Sequence, residues 1–224
     1  MLAPHSRKKA RAPRVQIHPL GDSALLAELG TRLDTALNTR AIALAENLKR
    51  RRDVRQTLAA YASVTVHFDP DQVTVAALGA AIRRLATKRP PVAEPGRLHR
   101  IPVVYDGEDM GDVAAALGLE VSRVIELHTR PIYRVFLVGF VPGWAYLGPL
   151  PEELELPRRG SPRTSVPAGA VAVAGRQTGI YPWPTPGGWH LIGRTTVTPF
   201  LPNSDPPCLF RAGDRVKFFA ASGR

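Results

Sequence analysis

The sequence predicts an α+β fold, a small α/β domain followed by a closed β-barrel. Three observations carry that expectation. Residues 15–88 combine two pairs of extended runs with two helical apolar stripes. The stretch KRPPVAEPG then breaks the pattern, as a linker between domains does. From Tyr133 onward the apolar runs are all short and bounded by Pro and Gly, with no helical pattern between them. Parallel crossovers need such a helix, so these later runs should pair antiparallel and close on themselves.

Residues 1–14, MLAPHSRKKARAPR, read as a disordered basic tail outside the fold. The α/β domain is expected over 15–88. VQIHPL alternates, Gly21-Asp22 signals a turn, and ALLAEL follows as a second strand. Leu33, Leu37, Ala41, Leu44 and Leu48 then recur at helical spacing across 34–52. VRQTLAAY and SVTVHFD supply two more strands. Asp69-Pro70-Asp71 is expected to cap a second helix striped by Val75, Leu78, Ile82 and Leu85. The order ββαββα fits a four-stranded, mostly antiparallel sheet with two helices, of the ferredoxin-like type. The linker is placed at 89–97 and the barrel at 98–221. HRIPVVYD opens the barrel domain as a strand. Residues 109–118 and 122–128 read as two short helices, with Ser122 as N-cap of the second. FLVGF, GAVAVAG, WHLIGRTTVTPF and RVKFFA supply the remaining strands.

Composition narrows the function. A hydrophobic content of 44% and a mean hydropathy of −0.09 describe an ordinary globular chain. No apolar run approaches the ~18 residues of a membrane span. The basic start lacks the apolar core of a secretory signal, and Cys208 is the lone cysteine, so a reducing cytoplasm is expected. Cys208 sits beside prolines with no zinc spacing around it, and the six histidines are scattered, so no metal site is expected. The net charge of +11 raises nucleic-acid binding. Arg7, Lys8, Lys9, Arg11 and Arg14 supply five of those charges with no acid among them, so the balance without the tail is +6. A second group, Lys49 to Arg52 with Arg55, falls at a helix end, where cations complement the exposed carbonyls. Tail and helix end account for the charge without a nucleic-acid motif. GxGxxG, P-loop, HExxH and GxSxG motifs are all missing from the sequence.

The functional stretch is expected between Tyr133 and Trp189. There Pro and Gly repeatedly sit beside aromatic and arginine side chains, the makings of rigid turns around a small-molecule or anion pocket. Arg163 follows Pro162, so a stiff turn presents a guanidinium able to clamp a carboxylate or phosphate. Arg194 and Arg176 are further cations. Gln177 and Thr178 offer donors and acceptors, and Gly179 permits close backbone approach. His128, at a helix end whose dipole favours imidazolium, is the candidate proton carrier; a structural cap is the plainer alternative. His190 is a weaker candidate and His67 reads as structural. Phe140, Trp144, Tyr146, Tyr181, Trp183 and Trp189 are candidate walls, with Gly187-Gly188-Trp189 as one concave turn.

Three long stretches carry a resemblance: LHTRPIYRVFLVGFVPGWAYLGPLP, LPRRGSPRTSVPAGAVAVAGRQTGIYPWPTPGGWHLIGRT and LFRAGDRVKF. GDSALLAELG and SVTVHFDP in the first domain agree with them. From Val15 to Phe219 the chain resembles the KipI / allophanate hydrolase subunit 1 family, whose bacterial members include the PxpB-like subunit of ATP-dependent 5-oxoprolinase. It departs in having Trp144 where a second Phe is usual, Asp106 for a common Gly, and the basic tail. The resemblance implies a cyclophilin-like barrel for the second domain. It implies a cytoplasmic subunit, inactive alone, of an enzyme converting 5-oxo-L-proline, ATP and water to L-glutamate, ADP and phosphate. The implied partners are a homologous larger subunit (PxpC, or allophanate hydrolase subunit 2 type) and a third barrel subunit (PxpA type). ATP is the implied co-substrate, at a site not fixed by this sequence. His128, Arg163 and Gln177 are then the expected catalytic residues. Phe140, Trp144, Thr178, Tyr181, Gly187, Gly188, Trp189 and Arg194 are the expected substrate-binding ones. Inhibition of a sensor histidine kinase, or a place in an allophanate or urea amidolyase-type hydrolase, are the alternative family roles.

Overall fold

The computed structural model describes residues 15–88 and 95–222. The expected basic tail at 1–14 and most of the expected linker at 89–97 lie outside the described residues. The chain forms two compact units, 1–91 and 92–224, each with its own core.

The first unit is a four-stranded antiparallel sheet with two helices. Its strands β1 (Gln16–Pro19), β2 (Ala24–Glu28), β3 (Val54–Ala59) and β4 (Ser63–Phe68) lie in the order β1-β2-β4-β3. Alternation selects one face of the sheet: Leu25, Ala27, Val64 and Val66 are all buried. Ala41, Leu44 and Leu48 of helix α1 (Thr35–Lys49), with Leu78 and Ile82 of helix α2 (Val75–Ala86), join them in one core. Asp34 starts α1 by accepting a hydrogen bond from the Leu37 amide at 2.8 Å. The start of α2 differs from expectation. Thr74, not the Asp69–Asp71 segment, is its N-cap, its hydroxyl accepting from the Ala77 amide at 3.3 Å. Asp69 is consumed locally, because its carboxylate accepts from the Asp71 amide at 3.2 Å and the Gln72 side chain at 3.0 Å. It holds the preceding turn instead. Two arginines of the basic run are likewise engaged, Arg51 by Asp53 and Arg55 by Asp69.

In the second unit, β5 (Leu98–Val103), β6 (Tyr133–Val138), β7 (Ala145–Gly148), β9 (Ala170–Ala174), β10 (Gln177–Ile180), β12 (His190–Arg194) and β13 (Arg215–Ala220) form one sheet. Its order is β12-β9-β10-β7-β6-β13-β5. The two edges meet at Val104 and Arg194, each of whose amides donates to the other's carbonyl, at 2.9 and 2.8 Å. The sheet is therefore a nearly closed barrel. The strands from Tyr133 onward pair with one another only antiparallel, as expected, but β13 also pairs parallel to β5 across more than a hundred residues. Helices α3 (Met110–Leu117) and α4 (Val121–Thr129) fill the connection between β5 and β6. Gly118, left-handed at φ 65°, ends α3. The N-cap of α4 is Glu120 rather than Ser122: Glu120 is extended and the helix already begins at Val121. A short ribbon of β8 (Arg163–Val166) and β11 (Thr185–Gly187) completes the unit. Among the described residues no helix is long and apolar enough to cross a membrane.

Strand β9 separates two packed layers, because both of its faces are buried. Val171 and Val173 belong to the main barrel core, whereas Ala170, Ala172 and Ala174 pack into a second cluster with Trp144, Tyr181 and Trp189. Three alanines leave room for three large rings on that side.

Candidate functional site

The second cluster is an aromatic wall. The Trp144 ring centre lies 4.6 Å from Tyr181, 5.0 Å from Trp189 and 5.7 Å from Tyr146. Tilted and edge-on contacts of this kind rigidify the rings as well as burying them. Gly179 on β10 makes the packing possible, since a Cβ there would meet the Trp144 indole at 2.9 Å. Gly187 is equally constrained, because a Cβ would collide with the Tyr181 hydroxyl. Phe140, in the β6–β7 turn, adds an outer edge 6.4 Å from Trp144. It is 66% exposed and holds φ at +75°, a costly conformation for a residue with a side chain. Trp183 stands apart, packing on Phe200 at 5.0 Å.

Beside the wall sits an arginine–carboxylate cluster. Asp109, at the N-cap position of α3, is only 2% exposed. Its Oδ1 accepts from Arg159 at 2.7 Å and from Arg163 Nη2 at 2.8 Å, and its Oδ2 accepts from the Leu191 amide at 2.7 Å. Burial opposes ionisation of Asp109. The hydrogen bonds from Arg163 and Leu191 and the charges of both arginines outweigh it and hold the carboxyl below the usual range. Glu108 takes the Nε of Arg163 at 2.6 Å. Arg163 thus projects from the start of β8 in a fixed pose, held on two sides. Burial pushes the Tyr181 phenol up, while the Trp189 amide and the charges of Arg158 and Arg163 pull the other way. Those guanidiniums therefore act electrostatically on the aromatic wall.

Gln177 and Thr178 do not work together. They are neighbours in a strand, so they face opposite sides of the sheet. Gln177 lies opposite Ala174 on the aromatic side, and Thr178 lies opposite Val173 and Leu147 inside the barrel. There Thr178 meets His128. The expectation of a helix-end imidazolium is overturned: His128 is fully buried, and desolvation pushes its pKa down to about 3. Its Nδ1 faces the Tyr105 hydroxyl at 2.6 Å and its Nε2 the Thr178 hydroxyl at 2.9 Å. Thr178 spends its own proton on the Ala172 carbonyl at 2.9 Å, so it must accept from Nε2–H. The chain of donors then runs from Tyr105 through His128 and Thr178 to the β9 backbone. This network braces β10 from inside, on the face opposite Gln177 and Gly179.

Arg194 is placed elsewhere. It pairs with Asp106 at 2.8 Å and lines a cavity of about 450 Å³ with Pro102, Val104, Thr195 and Ser222, at the seam of the barrel. Arg176 bonds Glu152 and the Leu150 carbonyl. Cys208 is a half-buried free thiol. Phe140, Trp144, Tyr181, Gly187, Gly188, Trp189, Arg163 and Gln177 gather on one side of the unit; His128, Thr178 and Arg194 do not join them. Asp109, Glu108 and Arg159 are the members that sequence reasoning misses. GEDMGD carries only the ordinary signal of an acidic helix start.

Residues 15–210 match the family described as carboxyltransferase domain, subdomain C and D. The chain belongs to this family. It is 37% identical over 225 residues to the B-type 5-oxoprolinase subunit of Bacillus subtilis (strain 168), covering 93% of this chain and 94% of that one. It is 39% identical over 209 residues to the same 5-oxoprolinase subunit in Escherichia coli O157:H7, covering 92% and 95%. Among solved structures, TTHA0988 is similar with a TM-score of 0.80 and 40% identity over 90% of this chain. The family member described here spans 40% of the length of TTHA0988. The K. lactis urea amidolyase matches with a TM-score of 0.78 over 99% of this chain and 16% of its own; at 18% identity this shows a shared fold.

Proposed function

We propose that the chain is a cytoplasmic subunit, inactive alone, of an ATP-dependent cyclic-amide hydrolase that opens 5-oxo-L-proline to L-glutamate. The observation that carries this is the pairing of a rigid aromatic wall with a guanidinium, Arg163, fixed by two carboxylates. A five-membered lactam bearing a carboxylate presents a flat ring for such a wall and an anion for such a cation. The names of the relatives, subunits of 5-oxoprolinase, support the same substrate and the need for other subunits. The partners follow as a homologous larger subunit and a third barrel subunit.

A lactam carbonyl is a weak electrophile, because the ring nitrogen donates into it. Transfer of a phosphoryl group to that oxygen creates a leaving group and admits water. Within this scheme Arg163 holds the carboxylate, Gln177 bonds the amide from β10, and Phe140, Trp144, Tyr181 and Trp189 exclude water. His128 and Thr178 position β10 rather than move protons. Arg158, whose charge reaches Tyr146 and Tyr181, suits phosphoryl oxygens, and no complete nucleotide site is assigned to this chain. The barrel is assigned to the cyclophilin-like class. The first unit is assigned as a permuted ferredoxin-like sheet in which β1 takes the place of the last strand.

The test is release of ADP and glutamate from 5-oxoproline and ATP by the chain alone, with its larger partner, and with all three subunits. Turnover is expected only in the full mixture and is lost in Arg163→Ala. A stable full complex without turnover would overturn the assignment.

A further inference from the structure

A buried polar atom without a partner is costly, so each one asks what it is kept for. Among the described residues, three of the five such side-chain atoms belong to residues tied to Asp109 directly or through the next residue in the chain: Arg159 Nε, Arg163 Nη1 and His190 Nδ1. Arg159 and Arg163 share Asp109 Oδ1, and the amide of Leu191, next to His190, donates to Oδ2 of the same carboxylate. The Arg159 amide donates to the Gly188 carbonyl at 2.9 Å, and His190 Nε2 bonds the Pro157 carbonyl at 2.9 Å. The segment from Pro157 to Arg163 is thereby stitched to the turn that carries Trp189. Arg158, Arg159 and Arg163 against Glu108 and Asp109 leave this locus with an excess of one positive charge.

We infer that Arg159 and His190 complete, with Arg163, a two-part recognition subsite for a ring carboxylate that also carries an N–H. The two guanidiniums offer unused N–H donors, which an anionic oxygen takes up. His190 offers the opposite polarity. Its Nε2 faces a carbonyl and so carries a proton, and in the Nε2–H tautomer Nδ1 is an acceptor. A ligand that satisfies all three atoms needs a carboxylate and a neighbouring donor, and the lactam N–H of 5-oxoproline lies one carbon from its carboxylate. Asp109 is the positioning residue that keeps both guanidiniums turned so that these donors stay free. Resting on the lactam reading above, this assigns the recognition of the ring nitrogen as well as of the anion.

The subsite is tested by calorimetric titration of the full chain with three probes. 5-Oxo-L-proline has both groups, tetrahydrofuran-2-carboxylate has only the carboxylate, and 2-pyrrolidone has only the N–H. Arg159→Gln is expected to weaken both carboxylates about 10- to 100-fold, from the loss of a charged hydrogen bond, and to leave 2-pyrrolidone unchanged. His190→Ala is expected to weaken 5-oxoproline and 2-pyrrolidone and to spare tetrahydrofuran-2-carboxylate. Arg159→Lys, which keeps the charge, and the unfolding curve of each variant separate recognition from misfolding. 5-Oxoproline binding that both variants leave intact overturns the subsite while sparing the lactam reading. Arg159-dependent binding of both carboxylates with no gain from the lactam N–H overturns the His190 role and the lactam reading while sparing the anion half. Failure of the chain to bind any probe overturns the subsite altogether.

Discussion

Replacing Thr178 by Val removes one oxygen from the barrel interior and keeps the side chain's shape. The loss falls on His128, whose Nε2–H points at that oxygen from 2.9 Å and has no water to turn to, since both residues are fully buried. Stranding a buried donor costs about 1–3 kcal/mol. Tyr105→Phe strands the other ring nitrogen, Nδ1, and costs a similar amount. Because the three groups polarise one another in series, the double variant should cost less than the sum of the singles. Urea unfolding followed by tryptophan fluorescence measures this, and all three tryptophans, at 144, 183 and 189, lie in the barrel unit. A Thr178→Val variant within about 0.5 kcal/mol of wild type would refute the buried donor chain.

Acid should act through the same histidine. Its folded pKa is depressed to about 3 against an ordinary value near 6.5, so its contribution is complete above about pH 6.5 and is lost as the pH falls toward 3. Wild-type stability should drop by about 2 kcal/mol between pH 7.5 and pH 5 from this group, at about 1.4 kcal/mol per pH unit, and His128→Asn should show a correspondingly flatter urea-midpoint profile. Gly179→Ala places a methyl 2.9 Å from the Trp144 indole, so it should cost about 1–3 kcal/mol and shift the tryptophan emission. Phe140→Gly releases a positive φ and should stabilise the chain by up to about 1 kcal/mol in the same unfolding assay, while raising KM for 5-oxoproline in the full complex. Asp109→Asn should cost about 2–3 kcal/mol in urea unfolding, because Arg159 and Arg163 lose the carboxylate they share.

Among the described residues, most strands and all four α-helices are legible because their signals are local: alternation in SVTVHF, a helical stripe in α1, Pro and Gly between the later runs. Caps are less legible. Asp69 and Ser122 are the right residue types, but the cap is decided by backbone angle, and Thr74 and Glu120 hold the extended conformation next to the first helical residue. The division of Gln177 from Thr178 is available in principle, since a strand alternates faces. The burial of His128 is also available: with Val124 and Leu127 it makes an i, i+3, i+4 stripe on α4. The capture of Arg163 by Asp109, and of Arg194 by Asp106, spans 54 and 88 residues and has no local signal. The parallel pairing of β5 with β13, which brings the ends of the barrel unit together, has none either.

The most direct measurement uses the three tryptophans as position markers. Indole N–H resonances of the full chain, recorded by nitrogen-proton correlation NMR during titration with 5-oxo-L-proline, report separately on Trp144, Trp189 and Trp183. Trp144 and Trp189 lie in the aromatic wall, whereas Trp183 packs apart on Phe200. Binding at the wall predicts shifts of Trp144 and Trp189 that saturate together and vanish in Arg163→Ala, with Trp183 unmoved. Saturating shifts confined to Trp183, or none at all, would contradict the account.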